Sequence, residues 1–208
     1  MTLHSLAIAS GYLGAVLSVG MVVPQLARTI RNPGAGGVSP TSWALTMAAC
    51  LTWLTFGVKA GATPQIPGNV LIFPGAAAIV LTAPSRLTVS LRAVMLVSAS
   101  AAIVAAAVFL APDYIGYLAF VIGLVSALPQ ARESIARSSS AGRSAVSVSA
   151  WLLRAVSQVF WLGYAIVLHQ VPIIVAAGVT MISAIALVAA ECRYRSQQRD
   201  AAVVAACP

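Results

Sequence analysis

A proline–glutamine pair close to the end of a long apolar run occurs twice in this chain, at Pro24-Gln25 and at Pro129-Gln130. The residues downstream of each pair repeat as well. Arginines and a small-residue loop come first, then Val38-Ser39 or Val146-Ser147, Trp43 or Trp151, Trp53 or Trp161, Phe56-Gly57 or Gly163-Tyr164, and finally Pro64 or Pro172. From Val-Ser to the last proline the copies are offset by 108 positions, whereas the Pro-Gln pairs are offset by 105, so the second loop is three residues longer. A motif series that keeps its register in this way is one structural unit used twice.

Composition says what surrounds the unit. Hydrophobic residues make up 60% of the 208, mean hydropathy is +0.95 and only 8% are charged, against about a quarter in an ordinary soluble domain. Such a chain belongs in a bilayer, where about 20 apolar residues of helix cross the hydrocarbon. Seven segments meet that need: Leu6 to Ala27, Pro40 to Val58, Gln65 to Leu81, Ala93 to Leu110, Tyr114 to Ala131, Val146 to Leu168, and Val171 to Ala190. The first is too long for a signal-peptide core and no basic residue precedes it, so it is expected to be retained.

Ten of the twelve basic residues fall in loops or tails after spans one, three, five and seven; Lys59 lies at the opposite face and Arg154 inside span six. The positive-inside rule then places the amino terminus outside and the carboxyl terminus in the cytoplasm. The net charge of +8 is thus a topology signal and not a nucleic-acid one, since the arginines are dispersed over short loops. Cys50, Cys192 and Cys207 offer no even framework and are expected to be free thiols.

A three-span unit starts and ends on opposite sides, so a second copy in the same orientation needs one extra crossing. Span four, mostly Ala, Val, Ser and Leu, supplies it. The expected fold is all-α, seven transmembrane helices as two parallel three-helix bundles joined by an inverting linker helix (3+1+3). The units are residues 1–84, 85–112 (linker), 113–191 and a cytoplasmic tail at 192–208. Parallel repeats of this kind enclose a site near the midplane.

The order Pro-Gln, basic loop, Val-Ser, Trp, Trp and Pro resembles the PQ-loop superfamily, and two such units with a linker between them resemble its SWEET sugar-transporter branch. The similarity covers roughly residues 6 to 190. It implies a membrane carrier that moves a mono- or disaccharide by facilitated diffusion and alternating access. It also implies a pocket pair sixteen residues apart, an indole to stack on a sugar ring and an amide to bond its hydroxyls. Trp53 with Asn69 match that pair; Trp161 is matched by Ala177, a departure that puts the second set of contacts in doubt. Members of the superfamily that carry amino acids, and members that act as receptors or assembly factors, are the alternatives.

The residues themselves give further candidates. Pro24 and Pro129 lack an amide hydrogen and free a carbonyl one turn back, so with Gln25 and Gln130 they are candidate hinges, although a proline near a helix end also simply ends it. Cys50 and Gln158 lie one turn before Trp53 and Trp161; Gln158 is a candidate replacement for the amide missing at Ala177. An amide in hydrocarbon must be paired, which turns Asn69 inwards. Trp43 and Trp151 are assigned to the interfacial aromatic belt, and Trp53 and Trp161 to the pocket. Phe56 and Tyr164 are candidate outer-gate residues, with simple packing the alternative. Arg154 is expected to snorkel to the cytoplasmic side; facing the cavity instead, it would favour an anion.

The four acids, Asp113, Glu133, Glu191 and Asp200, sit at helix ends or in loops. No intramembrane carboxylate or histidine favours proton coupling; Asp113 at the mouth of span five is the one exception kept. No Ser-His or Cys-His set, paired carboxylates or metal-ligand cluster points to an enzyme, a cofactor or a metal. Expected partners are the lipid bilayer and a small polar solute, and the expected location is a bacterial plasma membrane.

Overall fold

A computed structural model of the chain describes residues 2–31, 40–82, 99–105, 108–141 and 148–206. The helices are α1 (Leu3–Arg31), α2 (Pro40–Lys59), α3 (Gln65–Thr82), α4 (residues 99–105), α5 (Pro112–Ala141), α6 (Val148–Val167) and α7 (Val171–Ala206), with no strand among the described residues. Leu3–Gly20, Thr41–Lys59 and Gln65–Thr82 are each long and apolar enough to cross a membrane, and Pro112–Ser126, Trp151–Val167 and Val171–Ala186 are shorter apolar helical stretches. Large apolar side chains on the outside, among them Leu6, Val16, Leu71, Val121 and Ile182, are at least half exposed. A water-soluble surface does not present apolar groups on every helix; a bilayer covers them.

Six helices close into a ring. α1 lies against α3 and α6, α2 against α3 and α5, and α7 against α5 and α6, giving the cyclic order α1-α3-α2-α5-α7-α6. Exchanging α1 with α5, α2 with α6 and α3 with α7 maps this set of contacts onto itself. The bundle is therefore two three-helix repeats about a pseudo-twofold axis, with α4 between them in the chain.

The turns between second and third helices are built alike twice. Gly61 (φ 66°) and His169 (φ 54°) are the left-handed residues, 108 positions apart. The amide of Thr63 donates to Gly61 O (2.9 Å) as that of Val171 does to His169 O (3.1 Å), and the amide of Gln65 to Ala62 O (2.9 Å) as that of Ile173 to Gln170 O (3.0 Å). Glycine adopts this backbone freely, whereas histidine must tolerate its Cβ there.

Close approach at these turns depends on two glycines. A Cβ at Gly11 would lie 2.8 Å from both Cβ and Cγ of Pro64 and 2.9 Å from Tyr164 Cδ2; one at Gly116 would lie 2.5 and 2.9 Å from the same atoms of Pro172 and 3.1 Å from Phe56 Cδ2. Each glycine thus seats its own repeat's proline turn and an aromatic of the other repeat. Ser10 Oγ donates to Phe160 O (2.7 Å) across α1 and α6, and Ser42 Oγ donates to Ser126 O across α2 and α5. Lys59 Nζ donates to Val108 O (3.0 Å) and Leu110 O (2.6 Å), tying α2 to the end of the linker.

Two expected ends differ. α5 continues to Ala141 and α7 to Ala206, past the expected span ends at Ala131 and Ala190 and into part of the expected loop at residues 138–144 and the tail at 192–208. Alanine, arginine and glutamine are good helix formers, so the backbone stays helical where apolarity has ended. The first loop, Asn32 to Gly37, lies outside the described residues. α1 and α5 also run on past Pro24 and Pro129, so neither proline ends its helix; the side chains of Pro24, Gln25, Pro129 and Gln130 lie outside the described residues.

Candidate functional site

A cavity of about 170 Å³ lies inside the ring. Ala15 and Ser18 of α1, Trp53 of α2, and Gln65, Gly68, Asn69 and Ile72 of α3 form one side. Gln158 and Trp161 of α6 and Ile173, Ala176, Ala177 and Thr180 of α7 form the other. Trp53, Asn69, Gln158, Trp161 and Ala177 therefore meet at one hollow, although they come from four helices. Cys50 does not line it: the side chain is buried, but it is far shorter than that of Gln158, its counterpart, which does reach the wall. Cys50 and Cys192 are free thiols.

The polar groups are held by their own helices. Asn69 Nδ2 donates to the backbone carbonyl of Gln65 (2.7 Å) and to Gln65 Oε1 (3.2 Å). Gln158 Nε2 donates to Ser157 Oγ (2.9 Å) and reaches Arg154 O at 3.4 Å, while Ser157 Oγ itself donates to Arg154 O (2.7 Å). Trp161 Nε1 donates to Ser18 Oγ (3.3 Å), whose proton goes to Gly14 O (2.8 Å). A Cβ at Gly14 would sit 3.1 Å from that indole, so the absence of a side chain there lets the ring come close to α1.

The indoles are braced from behind in matching fashion. Phe56 stands edge-on to Trp53 (5.5 Å, 86°) and Tyr164 edge-on to Trp161 (6.0 Å, 80°). Such T-shaped pairs are favoured by the ring quadrupoles. Phe56 and Tyr164 are fully buried between the cavity and the proline turns, in one apolar cluster with Ile115, Ala165 and Ile173.

Trp43, assigned to the interfacial belt, is partly buried in the first turn of α2 and packs on Met47, Ala76 and Val80. Trp151 lies under the Arg154 guanidinium, 5.8 Å from its ring centroid, and Arg154 does not line the cavity. Its guanidinium thus lies back along α6 towards the helix start. Asp113 is exposed in the first turn of α5, where an acid suits the helix dipole.

This arrangement has a solved counterpart. The chain superposes on a eukaryotic SWEET transporter solved at 3.7 Å resolution, with a TM-score of 0.75 and 17% identity over 94% of this chain and 100% of that one. The fold is that of a SWEET transporter. No protein-family model matches the chain, and no curated protein matches it. The SWEET fold accounts for the 3+1+3 order and for the ring around a central hollow.

Reading the sequence missed Ser18, Gln65 and Thr180 as cavity residues. It also missed Gly-Tyr-Leu at positions 11 to 13 and again at 116 to 118, a copy at the same 105 offset as Pro-Gln. That signal was available, as was the amide rule for Gln65; Ser18 and Thr180 had none, because nothing in an apolar helix marks its inward side.

Proposed function

We propose that the protein is a carrier of a small neutral polar solute, a sugar by preference, and that it works by alternating access between the two repeats. The single observation that carries this reading is the central cavity, enclosed by both repeats and lined by two indoles and three carboxamides. Every lining residue is uncharged. A buried ionic solute needs a partner charge, so amino acids with their two charges fit less well than sugars. Drug-sized ligands take about 300–1,000 Å³, so a cavity of 170 Å³ suits a single ring better than a disaccharide.

Trp53, Asn69, Trp161 and Gln158 form the binding site in this reading. Phe56 and Tyr164 with the proline turns form the outer gate, here shut. Pro24-Gln25 and Pro129-Gln130 are the hinges, the units are residues 1–84 and 113–191 about the linker, and the positive-inside orientation puts the gate at the external face of a plasma membrane. The SWEET transporter with the same fold supports the assignment. Transport is uniport, because the cavity wall carries no group that titrates near neutral pH.

Uptake of labelled sugars into liposomes holding purified protein tests this. Flux above empty vesicles, abolished in Trp53→Ala and Asn69→Ala and unchanged by an imposed pH gradient, is expected. Specific binding with no flux for any sugar or amino acid would establish the receptor reading instead.

A further inference from the structure

The demands of the cavity on its solute depend on which polar atoms are already committed. Both hydrogens of Asn69 Nδ2 go to Gln65, and one acceptor is a backbone carbonyl, which fixes the amide orientation and leaves Asn69 Oδ1 as an acceptor. The same holds for Gln158, whose Nε2 faces Arg154 O and Ser157 Oγ, leaving Oε1. Trp161 Nε1 is taken by Ser18. Among the described residues, Asn69 Oδ1, Gln158 Oε1 and Gln65 Nε2 make no hydrogen bond, and neither do Trp53 Nε1 or the Thr180 hydroxyl.

The three amide atoms come from α3 and α6, the two neighbours of α1 in the ring, and the Trp53 N–H adds a donor from α2. Opposite α3 and beside α6 in the ring, α7 presents Ile173, Ala176 and Ala177, where the pseudo-twofold would have repeated Gln65, Gly68 and Asn69. Its one hydroxyl, Thr180, lies a turn further from the proline turn. The wall therefore offers free polar atoms from α2, α3 and α6 and is apolar along the start of α7.

We infer that the cavity, on its reading as a sugar site, takes a single-ring polyol with its hydroxyls gathered on one edge and a bare edge opposite, a deoxy-type sugar in preference to a fully hydroxylated one. Two carbonyl acceptors and one amide donor engage adjacent hydroxyls, which donate and accept at once. A hydroxyl turned to Ile173 and Ala177 would lose its water and gain no partner.

The test is competition against labelled glucose uptake in proteoliposomes by unlabelled glucose and its 2-, 3-, 4- and 6-deoxy analogues. We expect one analogue to compete about tenfold better than glucose and at least one to compete about tenfold worse, the scale of one buried hydroxyl left unmade or relieved. Ala177→Asn, which restores an amide to α7, should remove the advantage of the favoured analogue while glucose competes better. If glucose is carried and every deoxy analogue competes equally or worse, the inference is overturned and the carrier reading stands. If no sugar in the panel is bound or carried, both are overturned.

Discussion

Gly116→Ala should be among the most damaging conservative changes in this protein. The added carbon would lie 2.5 Å from Pro172 Cβ, 2.9 Å from Pro172 Cγ and 3.1 Å from Phe56 Cδ2, where carbon contacts settle at about 3.5–4.0 Å. None of these neighbours can easily give way. The proline ring has its φ fixed, its turn is bonded through the amides of Val171 and Ile173, and Phe56 is fully buried against Trp53. α5 must therefore retreat from the turn by roughly 1 Å, and overpacking of this kind costs about 1–3 kcal/mol. Taking the upper end, less about 1 kcal/mol for alanine's better helix propensity, the net loss is about 2 kcal/mol. Gly123→Ala on the same helix is the control: nothing lies within 4 Å of a Cβ there, so only the propensity gain of about 1 kcal/mol remains. Melting in a single detergent, followed by tryptophan fluorescence, should show Gly116→Ala lower by about 4–8 °C and Gly123→Ala higher by about 2–4 °C, at the sensitivity of chains this long. Equal melting temperatures for the two variants would refute the close-packing argument. Under the proposed gate assignment, the same wedge should also favour an outward-open form.

His169→Gly should stabilise the protein by about 1 kcal/mol by removing a Cβ from a left-handed residue, and Gly61→Val should do the reverse; paired melting curves check both. Ser18→Ala takes away the acceptor of a buried indole N–H and should cost about 1 kcal/mol, readable as a lower melting temperature with a shift in Trp161 emission. Lys59 is the one lysine in the chain and is exposed. A membrane-impermeant amine reagent should label it on intact cells, over the background left in Lys59→Arg; labelling only after permeabilisation would reverse the proposed orientation.

The sequence alone determined the membrane setting, the duplication and the 3+1+3 order. Those depend on composition and on motifs that recur at fixed offsets, and both survive without coordinates. The resemblance to the SWEET branch put Trp53, Asn69 and Trp161 on one list with Gln158, and the need of an amide in hydrocarbon for a partner turned Asn69 inwards. Only the tertiary structure decided which helices are neighbours, since helices that are apolar all round carry no periodic mark of their inward side. That is why Ser18 and Thr180 stayed hidden and why Cys50 fell short of a wall that Gln158 reaches. The spent and unspent hydrogens of Asn69 and Gln158 are likewise a matter of three dimensions. Which amide atom faces the hollow depends on a carbonyl one turn away, and that is fixed only once the side chain has chosen its rotamer.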